Sequence, residues 1–295
     1  MDRIGVVLAA GGERVVPWQT GVLAGLADAG LDMREAAAIV GTSAGAFVAA
    51  RLALGVDQRE AADRIAERGA PRAPAKVVAR AATVLPRLLA IQAETAGLDT
   101  AARSRRVGRF ALEAATIPED AHVAAAISRL PTGEWPLALR LMAVDAESGE
   151  PVRLDPGAAI PVGRGVAAAR ALPGVLPPVT VGRRRLMDAG VASGTNADAV
   201  HDGVERVLIV LPAAVEPQPG TLDAALEAGL ARERAVLERA GVTVEEIRPD
   251  GTARAAMGEQ LYGIVDAAAA VRSGRRTGRC SGRALATQIR PSRAA

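Results

Sequence analysis

Ser43 stands in the stretch Gly41-Thr42-Ser43-Ala44-Gly45, where the apolar run Ala36 to Val40 ends and an Ala-rich run begins. A serine hydroxyl becomes a nucleophile when a base takes its proton and the backbone exposes its oxygen. A Gly-x-Ser-x-Gly between a strand and a helix meets the second condition. The sharp turn leaves no room for Cβ atoms beside the nucleophile, and the helix N-terminus beyond it favours a developing negative charge. The same five letters also suit a plain turn of small residues, so the rest of the chain has to decide.

Few side chains can serve as the base. The chain has only two histidines, His122 and His201. His122 falls in a helical region and His201 in the polar stretch "DAVHDGVE", and each is expected at the surface. A carboxylate is the alternative. Asp188 ends an apolar run inside "LMDAGVASGTN", flanked by small residues that let a substrate carbonyl approach. Partial burial there would raise its pKa toward a useful range. Taken alone, the same Asp equally suits a turn in which it accepts backbone N–H bonds.

The elements needed to position these residues are legible in order. Ile4 to Ala10 reads as a buried strand followed by the turn "GGER", and "WQTGVLAGLADAG" as a helix stopped by Gly30. "AAAIV" is a second strand delivering the chain into the Ser43 turn, and Ala44 to Leu54 is the helix after it. Residues 57 to 130 are Ala/Arg-rich, with Pro71, Pro74, Pro86 and Pro118 dividing them into short helices and no clear strand. This excursion either packs on the main sheet or forms a lid that meets acyl chains or a lipid surface. Strands resume at "LALRLMAVD", with a turn around Ser148 and Gly149 leading into another. A short helix over "VGRGVAAARALPG", the strand ending on Asp188, the strand "ERVLIVLP", a long helix closed by Gly241 and a last strand "VTVEEIRP" follow. From Ser273 the Arg/Gly/Ser-rich tail, 273–295, reads as disordered, which leaves 1–272 as one domain. The alternation predicts an α/β fold of three layers around a mostly parallel sheet.

Composition narrows the function classes. With 295 residues and 49% hydrophobic content, the chain can bury a sizeable core, built mainly from Ala, Val and Leu because aromatics are only 2% of it. Lys76 is the only lysine, and the formal charge of +3 is a mild cationic bias without the concentrated basic face and stacking aromatics of a nucleic-acid binder. The lone Cys280 excludes an intramolecular disulfide framework and a cysteine zinc cluster. "MDRIGVVLAAGG" is too short an apolar run for a membrane span or signal segment, so a soluble cytoplasmic protein is expected. "AAGGERVV" lacks both the later glycine of a dinucleotide fingerprint and a P-loop lysine, so no nucleotide cofactor is expected.

Three segments together resemble the patatin-like phospholipase family. They are Gly11-Gly12-Glu13-Arg14 after the first strand, the Gly41–Gly45 elbow after the second, and Asp188-Ala189-Gly190 far downstream. "ALPGVLPPV" before the Asp and "AVDAESGEPVRL" earlier are similar to the family's segments at those places, and the similarity spans about residues 4 to 212. Ala9 and Ala10 shorten the usual glycine run, Val15 follows the Arg where Gly is common, and Ala189 replaces a usual Gly. Strain follows if position 15 or 189 requires positive φ.

The resemblance implies a Ser–Asp dyad with no metal or cofactor. Ser43 would attack an acyl ester, Asp188 would accept its proton, and backbone N–H groups around Gly11, Gly12, Glu13 and Arg14 would hold the oxyanion. Arg14 would fix that loop or meet an anionic head group. The implied substrate is a lipid or another acyl ester, with any membrane contact peripheral. A thioesterase or transacylase using the same dyad, and a non-catalytic lipid-binding module, are the alternatives.

Overall fold

The computed structural model describes residues 3–70, 73–200, 203–218 and 221–289. His201 lies outside them. The strands are β1 (Ile4–Leu8), β2 (Ala38–Thr42), β3 (Leu139–Asp145), β4 (Pro151–Leu154), β5 (Val179–Val181), β6 (Arg184–Asp188), β7 (Arg206–Val210) and β8 (Thr243–Ile247). The α-helices are α1 (Val16–Asp28), α2 (Ala44–Ala53), α3 (Gln58–Arg68), α4 (Ala75–Glu94), α5 (Thr100–Glu113), α6 (Glu119–Ile127), α7 (Val162–Ala169), α8 (Leu222–Arg239), α9 (Gly251–Met257) and α10 (Ala267–Ile289).

The strands form one mixed sheet. β3, β2, β1, β7 and β8 run parallel, β4 and β6 pair antiparallel with β3, and β5 pairs antiparallel with β6. Both faces are covered, so strand residues are apolar on both sides. Val6, Leu8 and Ile39 point into a core closed by α1, α2, α7 and α10. Val7, Ala38 and Val40 point into a second core closed by α4, α5 and α8. The result is the three-layer α/β arrangement with a helical excursion.

One detail of register positions the chemistry. β4 lies along one edge of β3, pairing Arg153 with Met142 and Val152 with Ala143. On the opposite edge, Met142 pairs with Thr42 at the end of β2, and Ala143 pairs with Asp188 at the end of β6. β2 runs parallel to β3 and β6 antiparallel, so their carboxyl ends meet head-on along that edge.

Two expectations need correction. α4 runs uninterrupted through Pro86 rather than ending there, whereas Pro74 and Pro118 do stand at helix starts. The C-terminal segment is not disordered from Ser273. Residues 267–289 are the long helix α10, laid against α1. Glycines on both helices let the backbones touch: a Cβ on Gly25 would lie 2.1 Å from the Arg275 carbonyl oxygen, and one on Gly278 2.1 Å from that of Val22. Arg275, Arg279 and Arg59 converge on Asp28 at the end of α1. Led by Arg275, they hold its carboxyl well below the usual carboxylate range. High glycine and arginine content reads as disorder in sequence, but here it is a close-packed interface rimmed by ion pairs.

Candidate active site

β2 delivers Ser43 into α2 through a backbone conformation that L-residues rarely adopt, φ 55° and ψ −123°. Such a strained residue persists only where its surroundings hold it, and the flanking glycines show how. A Cβ on Gly45 would sit 2.0 Å from the Leu8 carbonyl oxygen, and one on Gly41 2.6 Å from the Ala46 Cα. Ala44 and Gly45 open α2, so their N–H groups are among the first-turn donors with no partner inside the helix. The five-residue stretch is therefore a strand-to-helix elbow with its serine on the outside of the bend.

Asp188 closes β6 and is 3% exposed. Its carboxyl is raised to about 6, mainly because burial penalises the charged form; the Ser43 side chain, the hydrogen bond from the Gly190 N–H and the nearby Arg170 oppose that rise. The Gly190 bond spans 2.8 Å. Asp188 thus also caps the turn Ala189–Val191, and the two readings of this Asp are compatible. Ala189 is absent from the positive-φ residues, and Val15 has φ −86°. Neither departure from the glycine pattern creates strain.

The loop after β1 carries the third motif. Gly12 has φ 74° and ψ −177°, a region that only glycine adopts readily. The N–H groups of Ala10, Arg14 and Val15 are bonded to the carbonyls of Gly194, Leu261 and Gly12, while those of Gly11, Gly12 and Glu13 meet no backbone acceptor among the described residues. The Arg14 N–H is already engaged and does not join the free set. Its guanidinium bonds back to the Gly11 carbonyl at 3.2 Å and to the Gly258 carbonyl. Arg14 is therefore a staple for the loop, with no role evident as a head-group contact.

Supporting residues that the sequence did not single out fasten the two loops. Glu13 is buried and accepts from the Ala73 N–H at 2.7 Å and from Arg170 at 3.2 Å. Arg170 ends α7 and lies over the Phe47 ring, 5.4 Å from its centre. An Arg closing the small, apolar run Gly165–Ala169 was the available signal. On the far side, Asn196 donates to the Thr42 hydroxyl at 3.0 Å, which ties the elbow to the acid loop. Glu233 of α8 accepts from the Ser193 and Thr195 hydroxyls and the Ala197 N–H, and burial pushes its pKa up. Beside this network is a cavity of about 190 Å³, lined in part by Ala10, Val107, Leu226, Arg103 and Arg232.

His122 is not at the surface. It is 7% exposed, its Nε2 lies 3.0 Å from the Ala167 carbonyl, and burial lowers its pKa. The one hydrogen bond found for its ring joins α6 to α7.

No curated protein matches the chain. Among solved structures, the type III effector protein ExoU is similar at 15% identity and a TM-score of 0.45, over 98% of this chain and 54% of its own. The chain thus spans about half the length of that protein. The pattern of the patatin-like phospholipase family matches residues 6–201, which include the glycine loop, the elbow and the acid motif. The chain belongs to the patatin-like phospholipase family.

Proposed function

We propose that this protein is a serine lipid acyl hydrolase that works through an acyl-enzyme on Ser43. The observation that carries the reading is the Ser43 side chain at a strained elbow beside the buried Asp188, whose carboxyl is raised to about 6. A carboxyl in that range is ionised at neutral pH yet basic enough to accept a proton in the transition state.

Ser43 Oγ attacks the ester carbonyl while its proton passes to Asp188. The carbonyl π pair moves onto oxygen, where the N–H groups of Gly11, Gly12 and Glu13 meet the charge. Collapse of the tetrahedral intermediate breaks the ester C–O bond, and Asp188 returns its proton to the departing alkoxide. Water then enters, Asp188 takes its proton, and hydrolysis releases the fatty acid and restores Ser43.

A lipid surface as the place of work is supported by the excursion. Of eight exposed large hydrophobic residues among those described, Leu89, Leu98, Leu112, Ile117 and Ile127 belong to it. Arg105, Arg106 and Arg109 are exposed on the outer side of α5. Apolar tips beside cations suit a peripheral contact with an anionic interface. No helix among the described residues is long and apolar enough to cross a membrane.

The test is labelling by a fluorophosphonate followed by peptide mass spectrometry, with Ser43→Ala as control, and then release of fatty acid from phospholipid vesicles. An adduct on Ser43 and fatty-acid release by the wild type alone are expected. A folded protein that forms no adduct overturns the reading, and preferential turnover of an acyl-CoA changes the substrate class to a thioester.

A further inference from the structure

Residues 258–266 connect α9 to α10 and lie beyond the stretch that the family pattern matches. They nevertheless lie on the glycine loop. The Leu261 carbonyl accepts the Arg14 N–H at 3.3 Å, and the Gly258 carbonyl accepts from the Arg14 guanidinium. Gly12 presses so closely on Leu261 that a Cβ there would come within 2.3 Å of the Leu261 oxygen. The segment is pinned at its other end by the Asp266 N–H to the Ala256 carbonyl, 2.8 Å. It is a cover fastened directly over the glycine loop at Gly12 and Arg14.

Its next residue is Tyr262, the only tyrosine in the chain. The ring packs against the core cluster that contains Ala10, Met187 and Ala189. The phenol lies in the electrostatic neighbourhood of Asp188, Glu13 and Arg170. Burial, reinforced by the two carboxylates, raises its pKa well above the usual phenol range, so it stays protonated and can donate. No hydrogen bond to its hydroxyl is found among the described residues. A half-buried donor without a partner, within the field of the Asp188 carboxyl, is a group awaiting an acceptor.

We propose that residues 258–266 complete the active site and that the Tyr262 hydroxyl donates a hydrogen bond to the substrate's carbonyl oxygen as it becomes an oxyanion. This rests on the serine-hydrolase reading. Tyr262 makes and breaks no covalent bond: when the Ser43 Oγ–carbon bond forms and the proton passes to Asp188, the phenol O–H meets the charge left on oxygen. It supplies a donor at a loop whose Arg14 N–H is held by the cover itself. Arg170, the nearby cation, is engaged by Glu13 and the Phe47 ring.

Tyr262→Phe isolates the hydroxyl because the ring and its packing remain. Turnover of a soluble nitrophenyl ester by the wild type and by this variant is compared, normalised to the Ser43 sites that a fluorophosphonate titrates. That normalisation keeps the comparison valid if the variant is partly unfolded. The variant should lose roughly 10- to 100-fold in kcat with KM changed by less than about twofold, and its labelling rate should fall in parallel. Wild-type kcat in Tyr262→Phe, or a loss confined to KM, overturns the assignment while leaving the dyad standing. A wild type that neither turns over ester nor labels on Ser43 overturns the underlying reading and this inference with it.

Discussion

The elbow at Ser43 and the contact between α1 and α10 are built from the same material. In each, glycine lets one backbone press on another to a distance that a Cβ forbids: 2.0 Å at Gly45 against Leu8, 2.1 Å at Gly278 against Val22. The difference is what the closeness holds. At the elbow it holds a serine at φ 55° beside a buried carboxyl. At the helix pair it holds two regular helices whose rim is closed by Arg275 and Arg279 on Asp28. In the proposed reaction the first site uses its strain for chemistry, whereas the second joins the C-terminal helix to the domain. Equal crowding should therefore give unequal functional consequences.

The comparison breaks most sharply at the dyad itself. Ser43→Ala and Asp188→Asn should each lower kcat/KM for an ester on the order of 10⁴-fold, measured by steady-state kinetics. Asp188→Asn should also make the protein more stable. The wild-type carboxyl is raised from 3.8 to about 6 in the folded state. As pH rises between those values, the unfolded chain gives up its proton first, so the native state binds more protons and stability falls across that window. Above it the carboxylate costs about 3 kcal/mol, and the amide should recover part of that in urea unfolding at pH 7. The same titration should govern activity: kcat/KM rises with unit slope in its logarithm below about pH 6 and levels above it.

Next come the matched glycines. Gly45→Ala and Gly278→Ala should each destabilise the fold by about 2–4 kcal/mol in denaturant melts, since backbone must yield in both. Per folded molecule, Gly45→Ala should lose 100-fold or more in kcat because the nucleophile is displaced, while Gly278→Ala should keep wild-type kcat. Equal kcat losses would show that the C-terminal helix shapes the site. The smallest effect is expected from Glu233→Gln. Neutral hydroxyls and an N–H surround this carboxyl, and the amide can keep most of those bonds while removing a buried charge. Unfolding at pH 7 should shift by less than about 1 kcal/mol and kcat by less than tenfold.

Much of this was readable from local pattern. The order strand, elbow, helix around Ser43 follows from an apolar run, a Gly-x-Ser-x-Gly and an Ala-rich periodic stretch. Asp188 at a strand end follows from "RRRLMDAG". Three features were not readable in the same way. The tail was misread because composition was weighed above spacing, although Gly274, Gly278 and Gly282 recur every four residues and form one stripe of a helix. His122 was placed outside because a polar residue in an Ala-rich helix has no visible partner, and its acceptor, the Ala167 carbonyl, comes from a different helix. Arg170, Glu233 and Tyr262 carry no motif, and each matters only through what other segments bring to it.

The sequence by itself determined which side chains could react and which short elements would hold them, because periodicity, glycine and turn chemistry act over a few residues. Only the tertiary structure decided that Ser43 and Asp188 meet. Their strands are far apart in the chain, and each pairs with β3 along the same edge, one ending opposite Met142 and the other opposite Ala143. That register comes from long-range hydrogen bonding and from burial on both faces of the sheet, and a slip by one residue would turn the Asp188 side chain to the other face.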